Sequence, residues 1–212
     1  MSTIHRWMPA GDSVTLGAGN AATVAECGFR SKLCKLLTVK WGTTPIACGR
    51  NLTGWMGPNN MAGMSGLTVA ELDTWLAQDL AAFNPDVITL HVGTNDCTQL
   101  NSGGSPLLAT SMASMTTLLT RIRSTLPTVK VYIAYIIPNV VATAEVVNYN
   151  AALKVLVEAR ADYASGLLVP VDIYAAFVAN VNWAADYMAD NSHSNQAGYT
   201  VMATTWNTAI TA

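Results

Sequence analysis

Residues 129–137, V-K-V-Y-I-A-Y-I-I, form the longest run of β-branched and aromatic residues in the chain. Such a run favours a strand that is buried on both faces, as in the centre of a parallel sheet. Helical patterns flank it on both sides: one ends near Leu126, and another covers residues 147–163. This order of helix, strand and helix indicates βαβ units.

The same alternation continues outward to both ends of the chain. Further strands are predicted at residues 4–8 (ended by Pro9), 46–48, 86–92 and 167–171, and further helices at residues 28–39 and 195–210. Another helix is predicted to begin after Thr68, because Thr68 and Glu71 have the spacing of a capping box. The sequence therefore predicts an α/β fold with a parallel sheet of five strands, helices on both faces, and a single domain over residues 1–212.

The composition excludes several classes of protein. Of the 212 residues, 51% are hydrophobic, enough for a core that needs neither disulfides nor metals. Only 11% are charged and the net charge is −2, so no basic surface is expected to bind nucleic acid. Intrinsic disorder is excluded because it pairs low hydrophobicity with high charge.

No membrane span is predicted. The best candidate, residues 131–144, contains Pro138 and is shorter than the about 20 apolar residues that a spanning helix needs. The first residues lack the basic start and apolar run of a signal peptide. Sparse charge with abundant Thr, Asn and Ala is nevertheless more typical of secreted proteins, which favours an extracellular location.

The four cysteines leave two readings open. Cys27, Cys34, Cys48 and Cys97 contain no C-x-x-C spacing, which argues against a zinc knuckle or a thioredoxin-like pair. They allow three full disulfide pairings, or they are buried thiols that pack as small apolar side chains.

Functional residues are expected in the loops that follow the strands, since ligand sites of parallel sheets lie beyond the carboxyl ends of the strands. The first of these loops begins Gly11-Asp12-Ser13. A serine at the tip of a strand can act as a nucleophile if a base takes its proton.

Histidine is the usual base, and the chain has three. His5 in the first strand is expected to be a satisfied structural histidine. His91, near the end of the third strand, is expected to be buried and hydrogen-bonded. His193 lies in a polar loop before the last helix, three residues after Asp190. This spacing lets the Asp190 carboxylate orient the His193 ring and stabilise an imidazolium.

Acyl transfer also needs hydrogen-bond donors aimed at the oxyanion. Candidates are the Asn95 side chain in Gly93-Thr94-Asn95-Asp96, the Gly66 N–H and the N–H of Ser13 itself. Taken singly, Gly66 is also explained as a turn glycine and Asn95 as a turn residue.

Competing motifs are incomplete. Ser65 in Gly63-Met64-Ser65-Gly66 lacks the second glycine of a nucleophile elbow, and Gly17-Ala18-Gly19 lacks the rest of a dinucleotide fingerprint. There is neither a P-loop nor a metal-ligand spacing. The sequence therefore predicts neither a cofactor nor a bound metal.

Taken together, these blocks resemble the SGNH (GDSL) hydrolases. The four blocks are Pro9-Ala10-Gly11-Asp12-Ser13-Val14-Thr15, Gly66, Gly93-Thr94-Asn95-Asp96 and Asp190-Asn191-Ser192-His193. The resemblance implies a three-layer, flavodoxin-like α/β/α fold with five parallel strands. It also implies Ser13 as nucleophile, His193 as base, Asp190 as its partner, and an oxyanion hole of Ser13, Gly66 and Asn95. Val14 replaces the usual leucine, and Ser194 follows His193 where proline is common.

The blocks Gly57-Pro58-Asn59-Asn60, Gly63–Thr68 and Leu90–Asp96 resemble the acetyl xylan esterases of carbohydrate esterase family three, although Met64 replaces an expected histidine. This likeness implies a serine esterase that hydrolyses short-chain, chiefly acetyl, esters on carbohydrate. Trp55, Trp183 and Tyr187 are candidates for stacking on sugars, or else are ordinary core aromatics. Alternatives are a short-chain lipid or thioester hydrolase, an acyltransferase of this fold, and a non-catalytic carbohydrate-binding module.

Overall fold

A computed structural model of the chain describes residues 5–52, 54, 59–104 and 107–211. Its strands are β1 (Arg6–Gly11), β2 (Ile46–Ala47), β3 (Asn51–Leu52), β4 (Asn60–Gly63), β5 (Val87–His91), β6 (Lys130–Tyr135) and β7 (Leu168–Asp172). Its helices are α1 (Ser13–Leu16), α2 (Ala21–Ala25), α3 (Phe29–Trp41), α4 (Val69–Phe83), α5 (Thr94–Asn101), α6 (Leu108–Thr125), α7 (Thr143–Glu158), α8 (Ala161–Ala164), α9 (Ile173–Val178), α10 (Trp183–Tyr187) and α11 (Gln196–Ala209).

The strands form one mostly parallel sheet in the order β3-β4-β1-β5-β6-β7, with β2 also paired to β1. The α/β fold class is confirmed. The expectation of five parallel strands is corrected: within the described residues the sheet has seven strands and is mixed, because β3 runs antiparallel to β4. Both of these short strands lie within residues 49–66, where the sequence predicted no strand.

The expected second strand is divided between two segments. β2 pairs with Arg6 and Trp7 at the start of β1, and β4 pairs with Ala10 and Gly11 at its end. Neither segment has the long apolar run that identifies a buried strand from sequence. Their shortness explains why only β2 was expected.

Strand β1 continues through Pro9, where the sequence predicted it to end. The carbonyls of His5 and Trp7 accept hydrogen bonds from β2 and from Cys48 just after it, so by alternation Pro9 faces that same edge. Beyond Cys48 the chain leaves β1, and β4 takes over only at Ala10. The missing N–H of Pro9 therefore falls where β1 changes its neighbour.

Alternate residues of the central strands pack into two separate cores. In β6, Val131 and Ile133 belong to the core shared with α4, α6 and α7, whereas Tyr132 and Ala134 belong to the core shared with α3, α9 and α11. Helices thus cover both faces of the sheet, as the three-layer prediction requires.

The start of α4 is confirmed, since the Glu71 carboxylate accepts hydrogen bonds from the N–H and hydroxyl of Thr68, at 2.8 and 2.7 Å. Helices α5, α9 and α10 were not predicted, because helices of five to eight residues carry too few periodic positions to be recognised. The helix predicted at 147–163 is α7 followed by the short α8. Among the described residues, no helix combines the length and apolarity needed to cross a bilayer.

All four cysteines are buried, and the structure joins none of them in a disulfide. Burial raises the pKa of Cys48 to about 12 and raises that of Cys34 and Cys97 as well. The structure therefore agrees with buried thiols that pack as small apolar side chains.

Two glycines let three strands converge where the chain leaves β1. A Cβ on Gly63 would lie 1.8 Å from the Gly11 carbonyl oxygen, and a Cβ on Gly11 would lie 2.1 Å from the His91 carbonyl oxygen. The ends of β1, β4 and β5 approach this closely only without side chains at these positions.

Asp12 fixes the turn between β1 and α1. Its side chain is fully buried and accepts a hydrogen bond from the Val14 N–H at 2.9 Å, which caps α1. Burial raises the pKa of Asp12 to about 7, opposed by the hydrogen bond from Val14 and reinforced by the charge of Asp96. A neutral carboxyl is thus favoured directly beneath Ser13 up to about neutral pH.

Asp12→Asn should raise the free energy of unfolding at pH 8. The Asp12 carboxyl has a pKa of about 3.9 in the unfolded chain and of about 7 in the folded protein. Between these two pH values, the unfolded chain has lost the proton that the folded protein still holds. The stability present in acid is therefore lost as the pH rises. Asparagine keeps the oxygen that accepts from Val14 but has no such proton.

We expect a gain of up to about 4 kcal/mol at pH 8 that vanishes near pH 4, measured by urea unfolding. Asp186→Asn, at an exposed carboxylate, is the control and should show no such pH-dependent gain. If the free energy of unfolding changes with pH in the same way for Asp12→Asn and wild type across this range, the burial penalty assigned to Asp12 is contradicted.

Candidate active site

Four segments meet beyond the carboxyl ends of β1, β4 and β5. They carry Ser13 at the start of α1, Gly66 in the turn before α4, Asn95 in the first turn of α5, and the loop of residues 188–195 before α11. This is the edge at which parallel sheets bind their ligands.

Ser13 and His193 lie within hydrogen-bond distance although 180 residues separate them. The Ser13 Oγ is 2.9 Å from the His193 Nε2. Ser13 is 4% exposed, and its position follows from Asp12, whose side chain caps the helix that Ser13 begins. A serine hydroxyl at this distance from an imidazole can pass its proton to the ring.

Asp190 contacts the other side of the His193 ring. Its two carboxylate oxygens lie 2.8 and 3.0 Å from the His193 Nδ1. Oδ1 also accepts hydrogen bonds from the N–H groups of Ser192 and His193, both at 2.8 Å. The predicted spacing of Asp190 and His193 thus places both on one tight turn.

The pKa of Asp190 lies below its ordinary value. Burial acts to raise it, but the hydrogen bonds from the Ser192 N–H, the His193 ring and the His193 N–H, with the charge of His193, together outweigh burial. Asp190 is therefore ionised at neutral pH and can support positive charge on the imidazole.

The ends of this turn are closed by backbone pairing. Met188 and Ser194 form an antiparallel bridge, and the Ala189 N–H donates to the His193 carbonyl at 2.8 Å. Ser194, at the position where the SGNH hydrolases that the sequence resembles commonly have proline, is buried in that bridge.

Asn95 and Gly66 are brought to the same edge. One N–H of the Asn95 amide donates to the Leu67 carbonyl at 2.9 Å, which ties α5 to the turn that contains Gly66. Gly66 has a φ of +87° with open space around its Cβ position, so backbone conformation and not crowding favours glycine there. The Ser13 N–H is the first of α1 and has no acceptor within its own helix.

Asp96 holds the α5 and α4 segments together from below. It is buried, and its Oδ2 accepts a hydrogen bond from the Val69 N–H at the start of α4, at 3.1 Å. Burial raises its pKa. Asp12 and Asp96 are therefore two buried carboxyls beneath the site.

The remaining histidines lie elsewhere. His91 is buried, and its Nε2 accepts a hydrogen bond from the Ile137 N–H at 3.2 Å. Burial lowers its pKa to about 4. His5 lies just before β1, with its ring centroid 4.4 Å from that of Trp41. The structural role expected for His91 is confirmed by its burial and hydrogen bond.

Of the three aromatic candidates for sugar stacking, the structure describes two. Trp183 and Tyr187 lie on α10, ahead of the His193 turn, and are partly buried against the α11 side of the core. The Tyr187 ring meets Phe177 edge-on, with ring centroids 5.5 Å apart. Trp55 lies outside the described residues.

Sequence reasoning missed Asn139, which lies in the loop after β6 and contacts the His193 turn. Its Nδ2 donates to the Ser192 Oγ at 2.9 Å. The loop was expected to contribute to the site, but no residue in it was chosen. An asparagine four residues before a helix, directly after Pro138, is the signal that could have identified it.

Potential metal ligands are dispersed over the part of the chain that is described: no three His, Cys, Asp or Glu side chains group there in a way that could hold an ion.

Comparisons with known proteins agree with this architecture. Residues 10–201 match the model of the GDSL-like lipase/acylhydrolase family. A multidomain esterase of Ruminococcus flavefaciens is 26% identical over 229 aligned positions, which cover 94% of this chain and 27% of that protein. The chain thus spans about a quarter of the length of this relative.

Solved structures share the fold. A family 3 carbohydrate esterase of Clostridium thermocellum has a TM-score of 0.79 at 24% identity, covering 98% of this chain and 95% of the other. One from Talaromyces cellulolyticus gives 0.79 at 20% identity, with 97% and 95% covered. A mutant acetyl-xylooligosaccharide esterase from Geobacillus stearothermophilus gives 0.73 at 18% identity, with 99% and 96% covered.

The family match extends from the end of β1 into α11 and so contains Ser13, Gly66, Asn95 and the Asp190–His193 turn. The chain therefore belongs to the GDSL-like lipase/acylhydrolase family.

Proposed function

We propose that this chain is a serine esterase that removes short acyl groups, chiefly acetyl, from carbohydrate through a covalent acyl-enzyme. Ser13 is the nucleophile, His193 the general base and Asp190 the residue that orients it. The observation that carries the proposal is the continuous hydrogen-bonded series from the Ser13 Oγ to the His193 Nε2 and from its Nδ1 to Asp190. We further propose that the one domain predicted for residues 1–212 holds the whole site.

Acylation begins when the Ser13 Oγ attacks the ester carbonyl carbon and His193 Nε2 takes the hydroxyl proton. The ionised Asp190 stabilises the imidazolium and keeps its Nδ1 proton in place. The tetrahedral intermediate then collapses: its C–O bond to the sugar breaks, and the imidazolium gives its proton to the departing sugar oxygen, which leaves as a hydroxyl. Water, activated by the same imidazole, hydrolyses the acyl-Ser13 ester and restores the enzyme.

The oxyanion is held by three donors: the N–H of Ser13, the N–H of Gly66 and the second N–H of the Asn95 amide. The hydrogen bond from Asn95 to the Leu67 carbonyl supports this role, because it fixes the amide plane and leaves one N–H of Nδ2 unused by that bond. Donors held before the reaction cost no reorganisation when charge develops.

Carbohydrate is the proposed alcohol part of the substrate. The solved neighbours include a family 3 carbohydrate esterase and an acetyl-xylooligosaccharide esterase, which supports this choice. Trp183 and Tyr187, together with Trp55, are proposed to contact the sugar, since amphipathic rings suit stacking on sugar faces.

Ser13→Ala should abolish turnover of an aryl acetate, with kcat lowered by roughly 10⁴-fold or more because no acyl-enzyme can form. Ser65→Ala, at the exposed serine of the neighbouring Gly63–Gly66 turn, is the matched control and should stay within about two-fold of wild type. Near-normal turnover by Ser13→Ala would refute the mechanism. Loss of turnover in Ser65→Ala alone would instead assign Ser65 as the nucleophile.

Asn95→Ala should lower kcat about 10²- to 10³-fold with little change in KM, as expected for a donor that acts mainly in the transition state. Asn101→Ala, at the exposed far end of the same helix, controls for truncation of an asparagine and should be silent. Steady-state kinetics on an aryl acetate measure both. A change confined to KM would remove Asn95 from the oxyanion hole.

Acyl-chain length distinguishes the proposed activity from lipid or thioester hydrolysis. We expect kcat/KM for aryl acetate to exceed that for aryl octanoate by at least about 10-fold, since a 10-fold preference needs a difference of only about 1.4 kcal/mol in transition-state binding. Release of acetate from acetylated xylo-oligosaccharide, followed by chromatography, tests the alcohol part. Preference for octanoate, with no acetate released from the oligosaccharide, would favour the lipid hydrolase.

A further inference from the structure

The turn that carries Asp190 and His193 is held at its tip by another loop. Asn191 is exposed and Ser192 is half-buried, so the tip has little packing of its own. Two hydrogen bonds reach it from the loop after β6: the Asn139 Nδ2 donates to the Ser192 Oγ, and the Val140 N–H donates to the Asn191 carbonyl, each at 2.9 Å.

Asn139 is itself rigidly placed. It is 1% exposed, and its Oδ1 accepts hydrogen bonds from the N–H groups of Val141 and Ala142, at 3.0 and 2.9 Å. Because Oδ1 faces two donors, the amide has one orientation, with Nδ2 toward Ser192. The Thr143 hydroxyl bonds to the Asn139 carbonyl and joins the same loop to α7.

The contact leads directly to the reacting groups. Ser192 donates its own N–H to Asp190 Oδ1 at 2.8 Å, and Asp190 in turn fixes His193. A displacement of Ser192 therefore displaces the carboxylate that orients the imidazole. Errors of about 1 Å in such geometry cost about 10²-fold in rate.

We propose that Asn139 is a positioning residue for ester hydrolysis, which holds the Asp190–His193 turn in register with Ser13 through the Ser192 side chain. This rests on the proposed function of Ser13, His193 and Asp190. Asn139 contacts neither the substrate nor the nucleophile: it fixes the partner of the base.

The test compares Asn139→Ala, Asn139→Ser, Ser192→Ala and Asn139→Ser/Ser192→Ala on an aryl acetate. Serine at 139 still offers an oxygen to the N–H groups of Val141 and Ala142, just before α7, but is too short to bridge to Ser192. It therefore separates support of its own loop from positioning of the His193 turn. Asn150→Ala is the matched control, since Asn150 bonds to the backbone N–H and carbonyl of Ile136 at 2.8 and 3.0 Å and its recorded bonds do not involve the His193 turn.

We expect Asn139→Ser and Ser192→Ala each to lower kcat about 10-fold with KM within two-fold. The double variant should resemble the single ones, because both remove one contact. The acid limb of the pH profile of kcat/KM should move to lower pH, since a misaligned Asp190 supports the imidazolium less. Asn150→Ala should lower the melting temperature without moving that limb.

The proposal is overturned if Asn139→Ser and Ser192→Ala keep wild-type kcat and an unmoved acid limb, or if Asn150→Ala reproduces their effects. Should Asn139→Ala fail to fold, the other two variants decide. Failure of the proposed function is seen separately, as an aryl acetate activity of the wild-type protein that survives Ser13→Ala.

Discussion

The hydrogen bond between the Ser13 hydroxyl and the His193 imidazole joins segments 180 residues apart, so its geometry depends on the whole fold between them. β1 delivers Ser13 to the edge of the sheet, and α11 supports the turn that carries His193. The two sides are tied again nearby, where the Tyr199 hydroxyl donates to the Ala18 carbonyl at 2.6 Å. Gly19 permits the same approach, since a Cβ there would lie 2.5 Å from the Ser194 carbonyl oxygen. These close contacts beside the Ser13–His193 hydrogen bond hold the Ser13 hydroxyl and the His193 ring at a fixed distance from each other.

The site is built on polar groups that cost stability. Asp12 and Asp96 are both buried, and burial raises the pKa of each. Each carboxyl nevertheless performs a positioning task, Asp12 for the start of α1 and Asp96 for the start of α4. In contrast, Asp190 is ionised on a half-exposed turn. In the proposed mechanism, the two carboxyls beneath the site position the oxyanion donors, whereas Asp190 stabilises the positive charge that forms on His193.

The repeated pattern of strand and helix was enough to predict the α/β class, and the Thr68–Glu71 capping box was enough to predict where α4 begins. β3 and β4 were not predicted because they are only two and four residues long and lack apolar runs. They are stabilised by pairing with each other and with β1, and no local sequence pattern contains that information. Pro9 gave a false end to β1, since its missing N–H matters only where the neighbouring strand continues. Short motifs identify the candidate catalytic residues from the sequence, namely Ser13, Asn95, Asp190 and His193. No such motif marks Asn139, because the positioning role proposed for it arises from a contact 53 residues away in sequence.

Covalent labelling by an organophosphonate ester tests the assigned nucleophile most directly, because such a reagent is attacked by an activated serine and leaves a stable adduct. Peptide mapping by mass spectrometry should find one adduct, on Ser13, and its formation should slow at least about 10³-fold in His193→Ala. A non-catalytic binding module would remain unlabelled. An adduct on a different serine, or labelling of Ser13 at the same rate in His193→Ala, would contradict the pairing of this hydroxyl with this imidazole.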